Sequence, residues 1–392
     1  MAKEYDIVIA GGAVMGASAA YWLTTMQPGL RVLVAEMDPS FAKSSTALSV
    51  ASIRQQFTNS VNVEISRFGV TFLRGFADRM AATGGGDLGF RENGYLFLAG
   101  HTEAAEVMRE VAKMQHRHGA ATTLLEPAAL AARFPWMAFD DVVLGSFGPR
   151  DEGWFDNMGL LNGLRAAAKA QGAEFVTDRV VGLEQAGGRI VAAQMAKTGK
   201  VACGALINAA GTRAAEIMAF AGLSLPVEPR KRTVFVIDAP NARFADAPLL
   251  VDHTGFYLRP EHDHWITAMV PKDDGPVDAE DFEPDYHQFE DEIWPLLYNR
   301  SERFDAVKVV RLWVGHYAYN TLDQNAILGP HPAMANLYLM NGFSGHGLQQ
   351  APAVGRGLAE VILTGAYQSL DLSPLGVERI LHNRPFAERA VV

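Results

Sequence analysis

The 392-residue sequence has one cysteine, Cys203, which lies in the apolar run 201–207. A single cysteine excludes an intrachain disulfide and a metal cluster of thiolates, and we interpret it as a small buried strand residue. No apolar run is long enough to span a bilayer, and the chain enters its first strand without a basic region or a cleavage site. We therefore expect a soluble cytoplasmic protein with no transmembrane segment.

Positive charge is also scarce, because the sequence has 34 lysines and arginines but 44 aspartates and glutamates, which gives a net charge of -10. This balance, without a basic amphipathic stretch, argues against nucleic acid and against an anionic membrane surface as partners. The apolar content of 49% can form a large core, and the length exceeds that of one domain of common size. Two domains are expected.

A glycine-rich turn follows the first apolar run. Residues 11–16 read Gly-Gly-Ala-Val-Met-Gly, and a second apolar run ends at Glu36. Gly11 and Gly16 allow a tight turn and close helix packing, so that the helix N-terminus can bind a pyrophosphate, while the Glu36 carboxylate can accept from a ribose hydroxyl. Ala13 replaces the usual middle glycine. The pattern predicts a dinucleotide-binding βαβ unit, with a purely structural turn as the alternative.

The α/β pattern is interrupted twice. The α/β pattern stops after a helix predicted at 71–80, where a glycine run follows. The pattern resumes with a helix predicted at 157–171. Short β-rich runs such as 233–237 then favour an antiparallel sheet, before a strand, a glycine turn and a helix return. We predict a mixed α/β and antiparallel β fold, in which a doubly wound, Rossmann-like nucleotide domain is discontinuous. The predicted boundaries are 1–85, 150–222 and 325–392 for the nucleotide domain, and 86–149 and 223–324 for the substrate domain.

The motif Gly-Phe-Ser-Gly-His-Gly at 342–347, with Ile-Asn-Ala-Ala-Gly at 207–211 and Asn-Thr-Leu-Asp at 320–323, resembles the D-amino-acid oxidase superfamily. The likeness covers nearly the whole chain and is greatest to the branch of monomeric sarcosine oxidase and of FAD-dependent oxidoreductase domain-containing proteins. It implies FAD in the discontinuous domain, with substrate between the flavin and the antiparallel sheet. The predicted FAD-binding residues are Gly11, Ala13, Val14, Met15, Gly16, Glu36, Ser44, Ser45, Thr46, Val180, Ala210, Gly211, Gly342, Phe343, Ser344, Gly345, His346, Gly347 and Leu348.

The turn at 342–347 has a chemical reason as well. A helix that begins there directs free N–H groups and its positive end at one spot, which suits the negative charge that arrives on a reduced flavin. The alternative is a strand-to-helix turn without a ligand.

Arg54 matches the arginine that binds the substrate carboxylate in proteins similar to sarcosine oxidase, since guanidinium binds a carboxylate bidentately. The alternative is a surface arginine. Sarcosine oxidase has a lysine where this chain has Gln349, and relatives that oxidise glycine or D-amino acids have an arginine at the position of Tyr317. Arg54 would then act with neutral partners, Gln349, Tyr317 or Tyr257, which leaves room for a substrate larger than sarcosine.

Two further positions follow from the resemblance. His316 stands where sarcosine oxidase carries the cysteine that bonds covalently to its flavin, so we expect non-covalent FAD. Arg259 aligns roughly with the lysine that promotes the reaction with oxygen, so the acceptor can be O2 or an electron carrier. His262 and His264 share a strand face without a clear carboxylate partner, and we expect no metal site.

We expect an FAD-dependent amino acid or amine oxidase or dehydrogenase, which converts the C–N bond of an amino acid or N-alkyl amino acid to an imine. One alternative is a 2-hydroxy-acid dehydrogenase with His346 or His316 as general base. Another is a flavoprotein with an assembly or scaffold role, since the paired cations are missing. The acidic stretch 273–291 is interpreted as an exposed connection, or as a lid or acceptor-docking surface, and the basic residues 230–232 as a solvated run.

Overall fold

The computed structural model describes residues 4–389, so the outermost three positions at each end of the predicted nucleotide domain lie outside the described residues. The strands, numbered in chain order, are β1 (Glu4–Ala10), β2 (Val32–Glu36), β3 (Ser52–Ile53), β4 (Tyr95–Ala99), β5 (Thr123–Leu125), β6 (Leu144–Gly148), β7 (Gly153–Trp154), β8 (Glu174–Thr177), β9 (Val180–Ala186), β10 (Arg189–Met195), β11 (Gly199–Asn208), β12 (Val227–Asp238), β13 (Leu249–Val251), β14 (Phe256–Glu261), β15 (His264–Met269), β16 (Lys308–Asn320), β17 (Ile327–His331) and β18 (Met334–Asn341).

The α-helices vary from one turn to five turns in length. In chain order they are α1 (Val14–Met26), α2 (Ser60–Arg74), α3 (Phe76–Met80), α4 (Thr102–Arg117), α5 (Pro127–Arg133), α6 (Asn157–Ala170), α7 (Ala214–Phe220), α8 (Trp294–Arg300), α9 (Gly347–Thr364) and α10 (Glu378–Leu381). None of the helices between residues 4 and 389 is long and apolar enough to cross a membrane.

The first sheet has the order β17-β18-β11-β1-β2-β8, with β10 and β9 added beside β11. β1 pairs in parallel with both β11 and β2, so its carboxyl end lies at the middle of the sheet. Val8 and Ile9 of β1 are fully buried because helices cover both faces of the sheet, α1 and α9 on one and α7 on the other. The predicted doubly wound, Rossmann-like fold is thereby confirmed.

The second sheet has the order β16-β12-β15-β14-β13-β4-β6-β5 and is antiparallel except where β13 pairs with β4. Its strands come from residues 95–148 and 227–320, so both interruptions of the α/β pattern contribute to one sheet. The predicted antiparallel sheet is confirmed. The boundaries between the two domains stay a prediction.

One helix begins earlier than predicted. The pattern indicated a helix at 71–80, whereas α2 begins at Ser60 and ends at Arg74, and Gly75 separates it from α3. The prediction was wrong because polar residues interrupt the apolar face of α2. Asn62 and Ser66 can be buried on that face because their side chains are hydrogen-bonded. Asn62 donates to Asn325 Oδ1, and Ser66 donates to the Arg54 carbonyl.

Candidate active site

A cavity of about 550 Å³ lies where the carboxyl end of β1 meets the second sheet. Most residues predicted from the sequence line it, and they come from four strands, two helices, the loop 41–50 and the turns between these elements. Those on its wall are Gly11, Ala13, Val14, Met15, Glu36, Ser44, Ser45, Thr46, Arg54, Val180, Ala210, Gly211, Tyr257, His316, Tyr317, Phe343, Ser344, Gly345, His346, Gly347, Leu348 and Gln349. Gly16, Gly342 and Arg259 lie outside that wall.

The glycine turn after β1 is shaped as a cradle at one end of the cavity. Gly11 has a φ of +101°, and a Cβ there would lie 2.4 Å from the Ala209 carbonyl oxygen. A Cβ on Gly16 would lie 1.9 Å from the Gly11 carbonyl oxygen, so α1 packs against the turn only because that atom is absent. The turn therefore presents backbone and the N-terminus of α1 to the cavity, as a pyrophosphate requires.

Loop 44–46 closes the turn from the outside. The Val14 N–H donates to Thr46 Oγ1 at 3.2 Å, and Asn157 Nδ2 donates to the Thr46 carbonyl at 2.6 Å. Ser45 Oγ donates to the His316 carbonyl at 2.7 Å, which joins this loop to β16 of the second sheet. These bonds fix the loop at the point where the two sheets meet.

Glu36 lies at the carboxyl end of β2, beside the glycine turn. One carboxylate oxygen accepts from the Gly12 N–H at 2.8 Å, and the other accepts from the Asp38 N–H at 2.9 Å. Burial raises the pKa of Glu36, and these two backbone bonds counteract part of the rise. Two carboxylate oxygens have about four acceptor sites, so capacity for ribose hydroxyls remains.

We expect Glu36→Ala to weaken FAD binding by on the order of 1 to 3 kcal/mol, because ribose hydroxyls and the Gly12 N–H lose their acceptor. Titration of apoprotein with FAD, followed by flavin fluorescence, measures the change. Glu174→Ala is a matched control on the neighbouring strand β8, since Glu174 accepts from the Tyr5 hydroxyl away from the cavity. Equal FAD affinities of the two variants would show that Glu36 does not bind the cofactor.

The turn before α9 is held open to the cavity by backbone geometry. Ser344 has a φ of +50°, its N–H donates to the Ala318 carbonyl, and its Oγ accepts from the Asn320 N–H at 3.0 Å. A Cβ on Gly345 would lie 2.8 Å from the Tyr317 ring. The N-terminal turn of the 18-residue helix α9 therefore borders the cavity directly, where its positive end favours negative charge.

Arg54 follows β3 and is 3% exposed. Its backbone N–H donates to Gln349 Oε1 at 3.0 Å, and its side-chain Nη2 lies 3.1 Å from His346 Nε2. Because guanidinium only donates, His346 Nε2 is the acceptor in this pair. The guanidinium carbon lies 4.6 Å from the centroid of the Phe57 ring and 5.5 Å from that of Phe97. Arg54 is thus a buried, oriented cation rather than a surface arginine.

Tyr257 of β14 and Tyr317 of β16 face the same cavity. Burial raises the pKa of both phenols, and the charge of Arg232 opposes the rise in each case. Both hydroxyl groups therefore stay protonated at neutral pH and can donate to a bound anion.

His316 and Arg259 are placed differently. His316 lies on the cavity wall against the Phe282 ring, its Nε2 has no hydrogen-bond partner among residues 4–389, and burial lowers its pKa. Arg259 is turned away from the wall, since its side chain donates to the carbonyls of Val50 and Pro260 and pairs with Glu261. Its role with oxygen stays a prediction.

Three charged residues near the cavity were not predicted. Arg232 of β12 lies on the wall, although its neighbours in sequence suggested a solvated run. Glu152 accepts from the Gln55 N–H and from Gln56 Nε2, and burial raises its pKa to about 7. Glu388 accepts from Thr58 and Asn62 beside the site. Spacing gave no signal for Arg232, because Arg230 shares its strand face at i−2 and lies off the wall, and the other two had no signal either.

Carboxylate and imidazole side chains occur on the cavity wall, but those that the structure describes are not grouped as metal ligands. Within the described range, no group of three or more histidine, cysteine, aspartate or glutamate side chains could hold a metal ion. The free cysteine Cys203 is buried in β11, and burial raises the pKa of its thiol to about 11.

The chain belongs to the family described as FAD dependent oxidoreductase (DAO), which it matches over residues 6–361. FAD is its cofactor, and the glycine cradle, Glu36 and the N-terminus of α9 fit that group. The chain is 39% identical to FAD-dependent oxidoreductase domain-containing protein 1 of Bos taurus, over 100% of this chain and 87% of that protein. It is 26% identical to mitochondrial dimethylglycine dehydrogenase of Mus musculus, over 94% of this chain and 44% of that protein.

Among solved structures, L-proline dehydrogenase from P. horikoshii superposes with a TM-score of 0.86 at 25% identity, over 98% of this chain and 100% of that one. Glycine oxidase from Geobacillus kaustophilus superposes with a TM-score of 0.81 at 21% identity, over 95% and 98% of the two chains. The second likeness shows the fold alone. The chain is thus an FAD-dependent oxidoreductase related to amino acid oxidases and dehydrogenases.

Proposed function

We propose that this enzyme oxidises the C–N bond of an amino acid or N-alkyl amino acid to an imine, which water then hydrolyses. Bound FAD supplies the acceptor for the hydride. The observation that carries the proposal is Arg54, a residue on the cavity wall whose buried guanidinium is oriented by His346 and by the Phe57 ring. Such a group is expensive to bury and suits a substrate carboxylate, because its fork binds two oxygens at once.

The residues around Arg54 have separate tasks in this proposal. Gln349 and Ser66 hold the backbone of Arg54, while Phe57 packs against both its guanidinium and the His346 ring. Tyr257 and Tyr317 provide neutral hydroxyl groups and exclude water from the amine. The substrate carbon is thereby oriented by one charged contact and two aromatic walls.

The names of the relatives agree with this substrate class. L-proline dehydrogenase and dimethylglycine dehydrogenase are both named for the oxidation of amino acids with an alkylated nitrogen. We extend that class to this chain. Non-covalent attachment of FAD stays part of the proposal, since His316 replaces the cysteine of sarcosine oxidase and Cys203 is buried in β11 away from the cavity wall.

One observation favours a second candidate, a 2-hydroxy-acid dehydrogenase. That reaction needs a general base for the hydroxyl proton, and His316 Nε2 lies on the cavity wall without a partner among the described residues. His346 is less suited, because its Nε2 accepts from Arg54. Amines need no such base once they are neutral.

An anaerobic screen separates these candidates. The holoenzyme is mixed with a panel of amino acids, N-alkyl amino acids, amines and 2-hydroxy acids, and loss of the flavin absorbance near 450 nm reports reduction. We expect bleaching by amino acids that carry a carboxylate. Air is then admitted, and prompt recovery of absorbance identifies O2 as acceptor, whereas slow recovery shows that O2 is a poor acceptor. Bleaching by hydroxy acids alone, or by no compound, would refute the proposed C–N oxidation.

A further inference from the structure

The cavity wall carries a second buried guanidinium, that of Arg232 on β12. Like Arg54, Arg232 is 3% exposed, and both side chains line the same cavity. A buried cation needs an anionic partner, because removing it from water without one costs several kcal/mol. Sarcosine oxidase has a lysine beside its substrate where this chain has Gln349 on α9. Here Arg232 on β12 supplies a second cation to the cavity instead.

The partner of Arg232 is a carboxylate that comes from outside the sheet. Asp274 accepts from Arg232 Nη1 at 2.5 Å and from Nη2 at 3.0 Å, in the two-oxygen geometry that any carboxylate takes on a guanidinium. The Asp274 side chain is 20% exposed and otherwise pairs with Arg230 at 3.3 Å. Because water reaches Asp274, its release from Arg232 does not leave a buried, unpaired anion.

Arg232 also has capacity beyond Asp274. Its Nε has no acceptor among the residues that the structure describes, so one of its five N–H groups is unsatisfied. Within the second sheet, Arg232 pairs with Gly315, which packs closely against the loop residue Leu48, since a Cβ there would lie 3.0 Å from the Leu48 carbonyl oxygen. A ligand that supplies further acceptor oxygens would satisfy this donor.

Tyr317 connects the two arginines. The Arg232 guanidinium carbon lies 5.0 Å from the centroid of the Tyr317 ring. Burial raises the pKa of Tyr317, and the charges of Arg232 and of Arg54 both oppose that rise, so both act on one phenol. Two buried cations on the wall of one cavity match a ligand that carries two anionic groups.

We propose that Arg232 binds a second carboxylate of the substrate, so that the substrate is an amino acid or N-alkyl amino acid with two carboxylates. Asp274 occupies Arg232 until that carboxylate displaces it. That the substrate is an amino acid rests on the proposed function. Its selectivity for two carboxylates can be measured without turnover. The alternative is that both arginines bind one and the same carboxylate.

The experiment uses holoenzyme and unreactive acids as probes. Succinate is compared with butyrate, and glutarate with valerate, at constant ionic strength, and the change in flavin absorbance reports binding. We expect each dicarboxylate to bind at least about tenfold more tightly than its monocarboxylate, because it makes one additional charge-assisted contact. Arg232→Gln should abolish that preference and leave the affinity for monocarboxylates unchanged. Asp274→Asn should raise the affinity for dicarboxylates several-fold, since the competing anion is removed.

Arg230→Gln is the matched control, because Arg230 also pairs with Asp274 but lies off the cavity wall. It should retain the preference for dicarboxylates, and flavin content and melting temperature establish that each variant is folded. Equal binding of both acids by the wild type, or an equal loss for both acids in Arg232→Gln, would overturn the inference. A retained preference in an enzyme that no amino acid reduces would refute only the proposed C–N oxidation.

Discussion

Replacing Gly16 by alanine should give a protein that is purified without FAD. The added Cβ would lie 1.9 Å from the Gly11 carbonyl oxygen, which is backbone and cannot rotate away. Either α1 or the glycine turn must therefore shift, and overpacking of this kind costs on the order of 3 kcal/mol. Because the shift distorts the turn that binds the pyrophosphate, a cost of this size lowers FAD affinity by about 100-fold or more. The ratio of flavin to protein absorbance after purification measures the loss.

Gly86→Ala is the control for this experiment. Gly86 lies in an exposed loop, no atom lies within 4 Å of the position of its added Cβ, and its φ is not positive. That variant should contain as much FAD as the wild type. Circular dichroism shows whether Gly16→Ala keeps its secondary structure, so that lost binding can be separated from unfolding. A fully yellow Gly16→Ala protein would contradict the close packing of α1 on the turn.

The nucleotide end of the site could be predicted from the sequence because its determinants are local. Gly16 is required by its contact with Gly11 and Gly11 by its positive φ, both within one strand-turn-helix unit, and Glu36 ends the next strand of the same unit. Sterics at such short separations leave a pattern that can be read in the sequence. The second glycine turn, 342–347, was recognisable for the same reason, since Gly342 and Gly345 both have a positive φ within one short turn.

The substrate end was less predictable because its residues meet across long separations in the chain. Arg232 was interpreted as part of a solvated run, yet pairing of β12 with β16 and the arrival of Asp274 place it on the cavity wall. Glu388 reaches the start of α2 from the opposite end of the chain. Neither contact follows from spacing, since each depends on where a distant segment folds back.

The acidic stretch has a defined place in the structure. Glu280 pairs with Lys43 at 2.7 Å and also with Arg213, while Asp281 pairs with Lys231 at 2.7 Å. Ala279 and Glu280 line the cavity, so the stretch forms part of its wall. The lid and acceptor-docking interpretations stay predictions, and exposed ion pairs such as these each contribute little stability.

Replacing Arg54 by lysine should slow flavin reduction by the best amino acid by about 100-fold, because the planar fork that orients the substrate carboxylate is lost while the charge remains. Lysine also cannot reach His346 and lie against Phe57 in the same geometry, so affinity should fall together with rate. Anaerobic stopped-flow reduction of the wild type and the variant, over a range of substrate concentrations, separates the two effects.

Arg300→Lys provides the matched control for this change. Arg300 is equally a buried arginine, but it pairs with Asp252 and Asp141 outside the cavity wall. Its replacement should lower the melting temperature and leave the reduction rate per bound flavin unchanged. Equal rates and affinities for Arg54→Lys and the wild type, or preferential reduction by amines that lack a carboxylate, would remove Arg54 from the substrate site. The buried position of Arg54 would then need a structural cause, and the case for an amino acid substrate would lose its main support.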